Sequence, residues 1–355
     1  MDRVERFYAA HKDTGSDEES GLASQSIQET TESADSSFKK YLQEDGFPKL
    51  RELHIALFFG HHETAHDAEI LAPHLKSADV FIPELVSYFP EEEKILQSIA
   101  KGSASSSDVR RMQHSGDHGY WNAIIKIIQG SSLKIGIADL QSGEAGTYLS
   151  KTDDLVNFIV NEIPDRHWSR VAARQIYTRR LEKSFEATVE REKQIVSGIC
   201  PAIVRAFAGD ETRSTRESLK VLMFMGSYHA PALTLVSAMN QFTERISPEG
   251  SDVLSFGREI EKLIRAKLPI PEQLSDAALT EELVKGLLLS TVKGQDVNPA
   301  LGVMVREAAE AMGDDERETF HNYFMNGDIP GAFKFFQTIA ERLAREERKK
   351  DEAEE

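Results

Sequence analysis

The chain has 355 residues, of which 42 are Lys or Arg and 59 are Asp or Glu, so its formal net charge is −17. This excess of acidic residues argues against a protein that binds nucleic acid, because such proteins neutralise phosphates with Lys and Arg. Hydrophobic residues make up 40% of the chain, which excludes a wholly disordered protein and predicts a packed core.

Cysteine usage and the length of apolar runs bear on where the protein works. Cys200 is the only cysteine, which excludes an intrachain disulfide and a thiolate zinc cluster. The first residues lack the apolar segment of a secretory signal, and no apolar run is long enough for a transmembrane helix. We therefore expect a soluble, cytoplasmic protein without a membrane span.

Both ends of the chain are predicted to be peripheral. From Asp13 to Ser37 there is no basic residue, and Leu22 and Ile27 are the only large apolar side chains. Such a stretch buries too little surface to offset the entropy of ordering it, so residues 1–47 are predicted to be a disordered acidic arm. Residues 346–355 are predicted to be a charged tail at a frayed helix end.

The middle of the chain alternates between short apolar strands and helices. Leu53 to Phe59 predicts a strand, followed by a helix and a second strand beginning near Asp79, which is the pattern of a parallel sheet. Further strands are predicted over Leu133 to Leu140 and over Leu219 to Met225. Other strands are expected in less apolar sequence, because four are few for a sheet of this size.

Helical patterns fill the remaining sequence. A long helical region is predicted from about Arg166 to Phe207, in two or more pieces, and beyond Ser247 only helices are predicted. The predicted fold class is therefore α/β, with a mostly parallel sheet flanked by helices at residues 48–250 and a helical C-terminal extension at residues 251–345. Three roles stay open for the extension: a lid, a dimer interface that makes a homo-oligomer, or a separate module.

Residues able to bind a metal or move a proton follow each predicted strand. In open parallel sheets, ligands bind beyond the carboxyl ends of the strands, where helix N-termini present free N–H groups. Imidazoles and carboxylates gathered there suit a divalent metal or acid/base catalysis. The residues in question are His61, His62, Glu63 and His66 after the first strand, Glu84 and Asp139 at the ends of the second and third, and Tyr228 and His229 after the fourth.

Each of these residues also has a purely structural interpretation. A histidine after a strand is commonly a helix cap or a loop donor, and Glu84, which follows Pro83, is also explained as a cap of the next element. Asp139 is also explained as a turn residue. The convergence of these residues on one edge of the sheet is what favours a functional site.

Arg191 and Glu192 stand out in the long helical region. Glu192 lies on a stripe that is otherwise apolar, and a buried carboxylate is costly unless it is paired or functional. Arg191 beside it is suited to reach a substrate anion or a carboxylate partner. The alternative is a helix break near Gly198 that leaves Glu192 in solvent.

Four motifs together resemble those of the Tiki/TraB and erythromycin-esterase/ChaN-like superfamily. In chain order they are FFGHHETAH, FIPEL, EREKQIVSGI and LMFMGSYHAPAL, and the resemblance covers Leu53 to Ile246. The best match is the G-x-x-H spacing from Gly226 to His229. The same spacing from Gly60 reaches Glu63 instead of a histidine.

The resemblance implies several chemistries. Tiki-type members are metal-dependent peptidases, and the esterase branch opens macrolide lactones with a histidine that acts on water. ChaN-like members bind haem, and TraB-like members act in pheromone shutdown. Similarity of fold does not choose among these activities.

The expected function is a hydrolase of this type that cleaves a peptide or ester bond in a peptide or small-molecule substrate. A divalent metal (Mn, Co, Fe or Zn) or a water would be held by His61 or His62, by Glu84 and by His229. A bound metal would lower the pKa of its water and polarise the scissile carbonyl.

The resemblance also implies roles for the remaining residues and a rival function. Glu63 or Glu192 would act as the base, and Arg191 would hold an anion. The rival is a non-enzymatic protein that binds haem or another small ligand in the same pocket, with Tyr228 or a histidine as axial ligand. A degenerate member retained as a scaffold is a third alternative.

Overall fold

The computed structural model describes residues 37–60, 65–114, 118–163, 168–226, 229–247, 256–291, 305 and 307–354. Within them, five strands form one sheet: β1 (Glu52–Gly60), β2 (Val80–Ile82), β3 (Lys134–Ile135), β4 (Ser218–Gly226) and β5 (Phe242–Ile246). All neighbouring strands are parallel, in the order β3-β2-β4-β1-β5. The predicted α/β fold is confirmed.

Helices precede, connect and follow the strands. Phe158–Glu162 continues α6 as a π-helix, and Glu211–Thr215 is a short 3-10 helix before β4. The described α-helices are α1 (Ser37–Glu44), α2 (Ala65–Ser77), α3 (Pro90–Ala100), α4 (Ser106–His114), α5 (His118–Ile128), α6 (Gly146–Asn157), α7 (Arg170–Ala206), α8 (Ala232–Ser237), α9 (Phe256–Arg265), α10 (Glu272–Thr291), α11 (Asp314–Met325) and α12 (Ile329–Glu354).

The centre of the sheet is the pair β1 and β4, which align from Glu52 beside Ser218 to Gly60 beside Gly226. Their apolar side chains are buried on both faces, because helices cover both sides of a parallel sheet. Successive residues of β1 therefore pack on opposite faces of the sheet. Leu57 packs with α7 and α8, whereas Phe58 packs with α2 and α5.

The edges of the sheet depart from the sequence analysis. The strand predicted over Leu133 to Leu140 is wrong in length, because only Lys134–Ile135 pairs with β2. At the opposite edge, β5 was not located by its sequence. Its side chains are exposed or half-buried, so it lacks the apolar run that marks the central strands.

The chain before β1 packs on the sheet. Phe38 and Leu42 of α1, together with Phe47, are buried in the same layer as the second half of α7. The predicted arm of residues 1–47 therefore overlaps packed structure, and its description as disordered is wrong for residues 37–47. Residues 1–36 lie outside the described residues.

The interpretation of the long helical region as two or more pieces is also wrong, since α7 is one helix that runs through Gly198 and Pro201. A Cβ added to Gly198 would lie 2.7 Å from the carbonyl oxygen of Ala138, and a Cβ added to Gly136 would lie 2.5 Å from that of Ala202. Glycine at both positions lets α7 and the chain after β3 meet backbone to backbone. This contact holds α7 at the carboxyl edge of the sheet.

The helical extension shares its core with the first half of α7. Tyr177 and Phe185 from α7, and Phe158 after α6, belong to the same buried cluster as Phe256 and Leu279 of the extension. The second half of α7 instead packs on the sheet. The middle of α7 is therefore the junction between two hydrophobic cores. None of the described helices combines the length and the apolar character needed to cross a bilayer.

Candidate functional site

Five predicted residues meet where the strands end against the middle of α7. They are Glu84 after β2, Asp139 after β3, His229 after β4, and Arg191 and Glu192 of α7, and we call them the junction cluster. The other predicted residues fall elsewhere: His61, His62, Glu63 and Tyr228 lie outside the described residues, and so does the side chain of His66, whose backbone lies in the first turn of α2.

Arg191 is the centre of the junction cluster, with a side chain that is 2% exposed. Its Nε donates to Asp139 Oδ1 at 2.9 Å, and its Nη2 donates to Asp139 Oδ2 at 2.5 Å and to Glu84 Oε1 at 2.7 Å. Its Nη1 donates to the Tyr148 hydroxyl at 3.2 Å, and the guanidinium carbon lies 4.7 Å from the centre of that ring. Burial lowers the pKa of Arg191, but Glu84 and Asp139 raise it overall, so the guanidinium is a fixed positive charge.

Asp139 anchors Arg191 to the end of β3. Besides the guanidinium, its Oδ1 accepts from the backbone N–H of Leu140 at 2.7 Å and its Oδ2 from that of Leu85 at 3.2 Å. Each oxygen therefore accepts two hydrogen bonds, which is about the full capacity of a carboxylate. Asp139 fixes the guanidinium and has no acceptor site left for a metal or a substrate.

Glu84 links Arg191 to the central strands. Its Oε2 accepts a hydrogen bond from the backbone N–H of Gly226, the last residue of β4. Its Oε1, which accepts from Arg191, also lies 3.2 Å from His229 Nε2. One carboxylate oxygen therefore faces both the fixed cation and the imidazole.

Both ring nitrogens of the buried His229 have polar partners. Nδ1 lies 3.3 Å from Glu192 Oε1, and Nε2 lies 3.2 Å from Glu84 Oε1 and 3.0 Å from Arg191 Nη1. A neutral ring protonated on Nδ1 accepts from Arg191, whereas an imidazolium donates to both carboxylates. Burial favours the neutral ring, but the charge of Glu84 and the hydrogen bonds to Glu192 and Glu84 raise the pKa of His229 to about 9.

Glu192, which is 0% exposed, is held from the helical extension. Arg265 of α9 donates through Nη2 to both of its oxygens, at 3.0 and 2.9 Å, and to Glu261 Oε1 at 2.6 Å. Burial raises the pKa of Glu261, an effect that Arg265 opposes. The helix break that would leave Glu192 in solvent does not occur, because α7 is continuous here.

The balance of charge explains why the pKa of His229 is raised. The carboxylates of the junction cluster and Glu261 outnumber the guanidinium groups of Arg191 and Arg265. Excess negative charge in a poorly solvated region is unfavourable, and a proton on His229 reduces it.

The described residues of the junction cluster do not fit a divalent metal. Among the residues that the structure describes, no group of three or more His, Cys, Asp or Glu side chains is arranged to hold one. Asp139 has no acceptor site left, and Glu84 and His229 both contact Arg191, whose charge repels a cation. Both ring nitrogens of His229 are also engaged, which leaves neither for haem. The predicted ligands His61 and His62 lie outside the described residues.

A small void adjoins Glu84 and Asp139 at the ends of β2 and β3. The atoms that face it are all apolar, and its walls include Ile195 of α7 and Met225 of β4. The void has room for about one water molecule. Because only apolar atoms face the void, it is not a binding site for water.

Sequence reasoning missed Tyr148, Arg265 and Glu261. Tyr148 lies on α6 and Arg265 on α9, and neither belongs to a motif or follows a strand. Glu261 carried a usable signal, because it adjoins the buried Ile260 on the apolar side of α9, the same kind of signal that singled out Glu192.

Comparison of the chain with family models, curated proteins and solved structures finds no match.

Proposed function

We propose that the protein is a hydrolase that cleaves an ester or peptide bond, with Glu84 as general base and His229 as general acid and with no metal between them. The observation that carries the proposal is the contact of 3.2 Å between Glu84 Oε1 and His229 Nε2, beside the guanidinium of Arg191. A carboxylate that takes a proton and an imidazolium that gives one are paired at hydrogen-bonding distance.

In the first step, Glu84 activates water. A water beside Glu84 gives a proton to the carboxylate as its oxygen attacks the carbonyl carbon of the substrate. The carbonyl oxygen then carries the negative charge of a tetrahedral intermediate. Of the three carboxylates in the junction cluster, Glu84 is the most exposed at 11%, so it is the one assigned to meet water.

Arg191 and His229 stabilise that oxyanion. When His229 is protonated, its Nε2–H and the Nη1–H of Arg191 belong to two cationic groups whose nitrogens are 3.0 Å apart. The repulsion between these groups is relieved when an oxyanion accepts from both. The interaction is therefore stronger in the transition state than in the free enzyme, which is the requirement for catalysis.

In the second step, His229 protonates the leaving group. The Nε2 proton passes to the leaving atom, which is the alkoxide oxygen of an ester or the amine nitrogen of a peptide. The tetrahedral intermediate collapses at the same time to the carboxylic acid. The proton held by Glu84 then crosses the 3.2 Å to His229 Nε2, which restores both groups. Glu192 orients the ring from Nδ1 and Asp139 fixes Arg191, so both act as positioning residues.

Hydrolysis of defined esters and peptides by the purified full chain tests the proposal. The panel contains p-nitrophenyl acetate, ethyl butyrate and fluorogenic peptides, each with and without EDTA. Glu84→Gln and His229→Asn should each lower kcat/KM by about 100-fold or more. The loss in His229→Asn should be greater for the ethyl ester than for the p-nitrophenyl ester, because an alkoxide needs a proton to leave and a nitrophenolate does not.

His54→Asn is the matched control, since His54 lies on β1 with its side chain 44% exposed. It should hydrolyse the panel as the unmodified chain does. Equal rates in all three variants would overturn the assigned residues, and loss of activity with EDTA would replace the proposal with a metal-dependent reaction. No turnover of any substrate would count against an ester or peptide hydrolase.

A further inference from the structure

We infer that Arg265, on the helical extension, is a positioning residue that controls the ring of His229 through Glu192. The catalytic consequence of this inference rests on the proposed function, whereas the contact itself does not. The extension then completes the site and is not a separate module.

The chain of contacts is short and buried. Arg265 Nη2 donates to both oxygens of Glu192, and Glu192 Oε1 lies 3.3 Å from His229 Nδ1. A carboxylate held at both oxygens cannot rotate away, so its free acceptor direction stays aimed at Nδ1. This fixes a proton on Nδ1, and Nε2 is left to exchange the catalytic proton.

Arg265 is itself fixed by the core of the extension. Its Nε donates to Glu261 Oε1 at 2.8 Å, one turn earlier on α9. Helix α9 is anchored by the buried Phe256 and Ile260, and the backbone N–H of Phe256 donates to Glu281 Oε2 of α10 at 2.7 Å. Any shift of α9 relative to α7 would therefore move the partner of Glu192.

The geometry favours arginine over lysine at this position. Nη2 of Arg265 contacts both Glu192 and Glu261, and Nε adds a second hydrogen bond to Glu261 that fixes the plane of the guanidinium. A lysine keeps the charge but has a single nitrogen, so it would lose the second contact with Glu261 that fixes the group bound to Glu192. Charge and geometry can thus be separated by substitution.

The test is 15N NMR of the imidazole of His229 across a pH titration of the full chain, with His229→Asn used to assign its signals. In Arg265→Gln, loss of a cation from a region with excess carboxylate should raise the pKa of His229. The signal of the proton on Nδ1 should also move, because Glu192 is no longer fixed. Arg265→Lys should keep the pKa near that of the unmodified chain and still move the Nδ1 proton signal.

Arg342→Gln is the matched control. It removes an arginine that donates to both oxygens of Glu316, at 2.6 and 3.1 Å, within the same extension but away from His229. The His229 signals should not change. Should Arg265→Gln fail to fold, Arg265→Lys carries the test through the Nδ1 proton alone.

A folded Arg265 variant with unchanged His229 signals would overturn the inference. Because the titration needs no substrate, that result would leave the hydrolase proposal intact. Conversely, a protein that hydrolyses nothing in the panel but shows the shift in Arg265→Gln would keep the positioning role and lose its catalytic meaning.

Discussion

His229 and His321 are both buried, yet their surroundings shift their pKa values in opposite directions. His229 has a carboxylate at each ring nitrogen, and its pKa is raised to about 9. His321, in the core of the helical extension, has the Thr280 hydroxyl 2.9 Å from Nε2, and its Nδ1 has no hydrogen-bond partner among the described residues. Burial lowers the pKa of His321 to about 4.

The difference comes from how the nearby carboxylates are used. Asp276 lies close to His321, but Arg170 donates to both of its oxygens. Its charge is thereby neutralised, and the desolvation of an imidazolium decides the outcome at His321. In the junction cluster, carboxylates exceed arginines, and the remaining negative charge outweighs desolvation. Depth of burial alone therefore does not predict the charge of a histidine.

The largest effect is expected from removing the central cation of the junction cluster. Arg191→Leu leaves Glu84 and Asp139 buried without their partner and should lower the free energy of unfolding by about 3–5 kcal/mol. Arg342→Leu, which breaks a pair whose side chains are 39% and 32% exposed, should cost less than about 1 kcal/mol. Urea denaturation of both variants measures these values. Similar costs would show that burial of the pair is unimportant.

The two histidines should give stability opposite dependences on pH. For His229, folding raises the pKa from 6.5 to about 9, so the stabilisation is complete below pH 6.5 and is lost as the pH rises through 9. For His321, folding lowers the pKa from 6.5 to about 4, so stability is lost as the pH falls from 6.5 towards 4. Each effect amounts to about 3 kcal/mol.

Urea denaturation of the unmodified chain, His229→Gln and His321→Gln across this pH range separates the contributions of the two histidines to the free energy of unfolding. The disadvantage of His229→Gln should shrink as the pH rises above 6.5, and His321→Gln should gain on the unmodified chain as the pH falls below 6.5. Differences that do not vary with pH would contradict both assignments. If the stability differences of both variants changed with pH in the same direction, the assignment of one histidine would be contradicted.

A glycine-to-alanine substitution should have opposite effects in the two regions. In Gly198→Ala the new Cβ would lie 2.7 Å from the carbonyl oxygen of Ala138, which forces α7 away from the sheet and should cost about 1–3 kcal/mol. Gly286→Ala in α10 meets nothing within 4 Å and should stabilise the helix by about 0.5–1 kcal/mol. Thermal unfolding of the two variants measures whether each substitution lowers or raises the stability. A neutral Gly198→Ala would show that the close approach is not required.

The last pair of substitutions removes one hydroxyl from each region. The Thr280 hydroxyl donates to the carbonyl oxygen of Asp276, so it accepts from Nε2–H of His321. Thr280→Val removes that acceptor and should cost about 1–2 kcal/mol. Tyr148→Phe removes one acceptor from Arg191 but keeps the ring beside the guanidinium, and should cost about 0.5 kcal/mol because water can replace the half-buried hydroxyl. Urea denaturation of both variants measures which substitution lowers the free energy of unfolding more. A larger loss in Tyr148→Phe would reverse the expected order.

The sequence predicted the parts of the fold that depend on local apolar pattern. β1 and β4 are recognisable because both faces are buried, and the stripe of α5 is recognisable because Trp121 and Ile125 recur at helical spacing. β5 lacked such a pattern, since an edge strand pairs through its backbone and exposes its side chains. The end of β3 was misplaced because apolar residues continue after pairing with β2 stops.

The sequence predicted the convergence of only those residues of the site that follow a strand, because the carboxyl ends of parallel strands lie at one edge of the sheet. Glu84, Asp139 and His229 each follow a strand, so their convergence follows from a parallel sheet. Tyr148 and Arg265 come from helices that reach the cluster through tertiary packing, which no local pattern encodes. The pKa of His229 likewise depends on how many arginines contact the carboxylates around it.

The most direct measurement is a 15N NMR titration of the two imidazoles in the unmodified full chain. His229 should be protonated at neutral pH and should lose its proton near pH 9, whereas His321 should stay neutral down to about pH 4. A neutral His229 at pH 7 would contradict its assignment as the general acid beside Glu84.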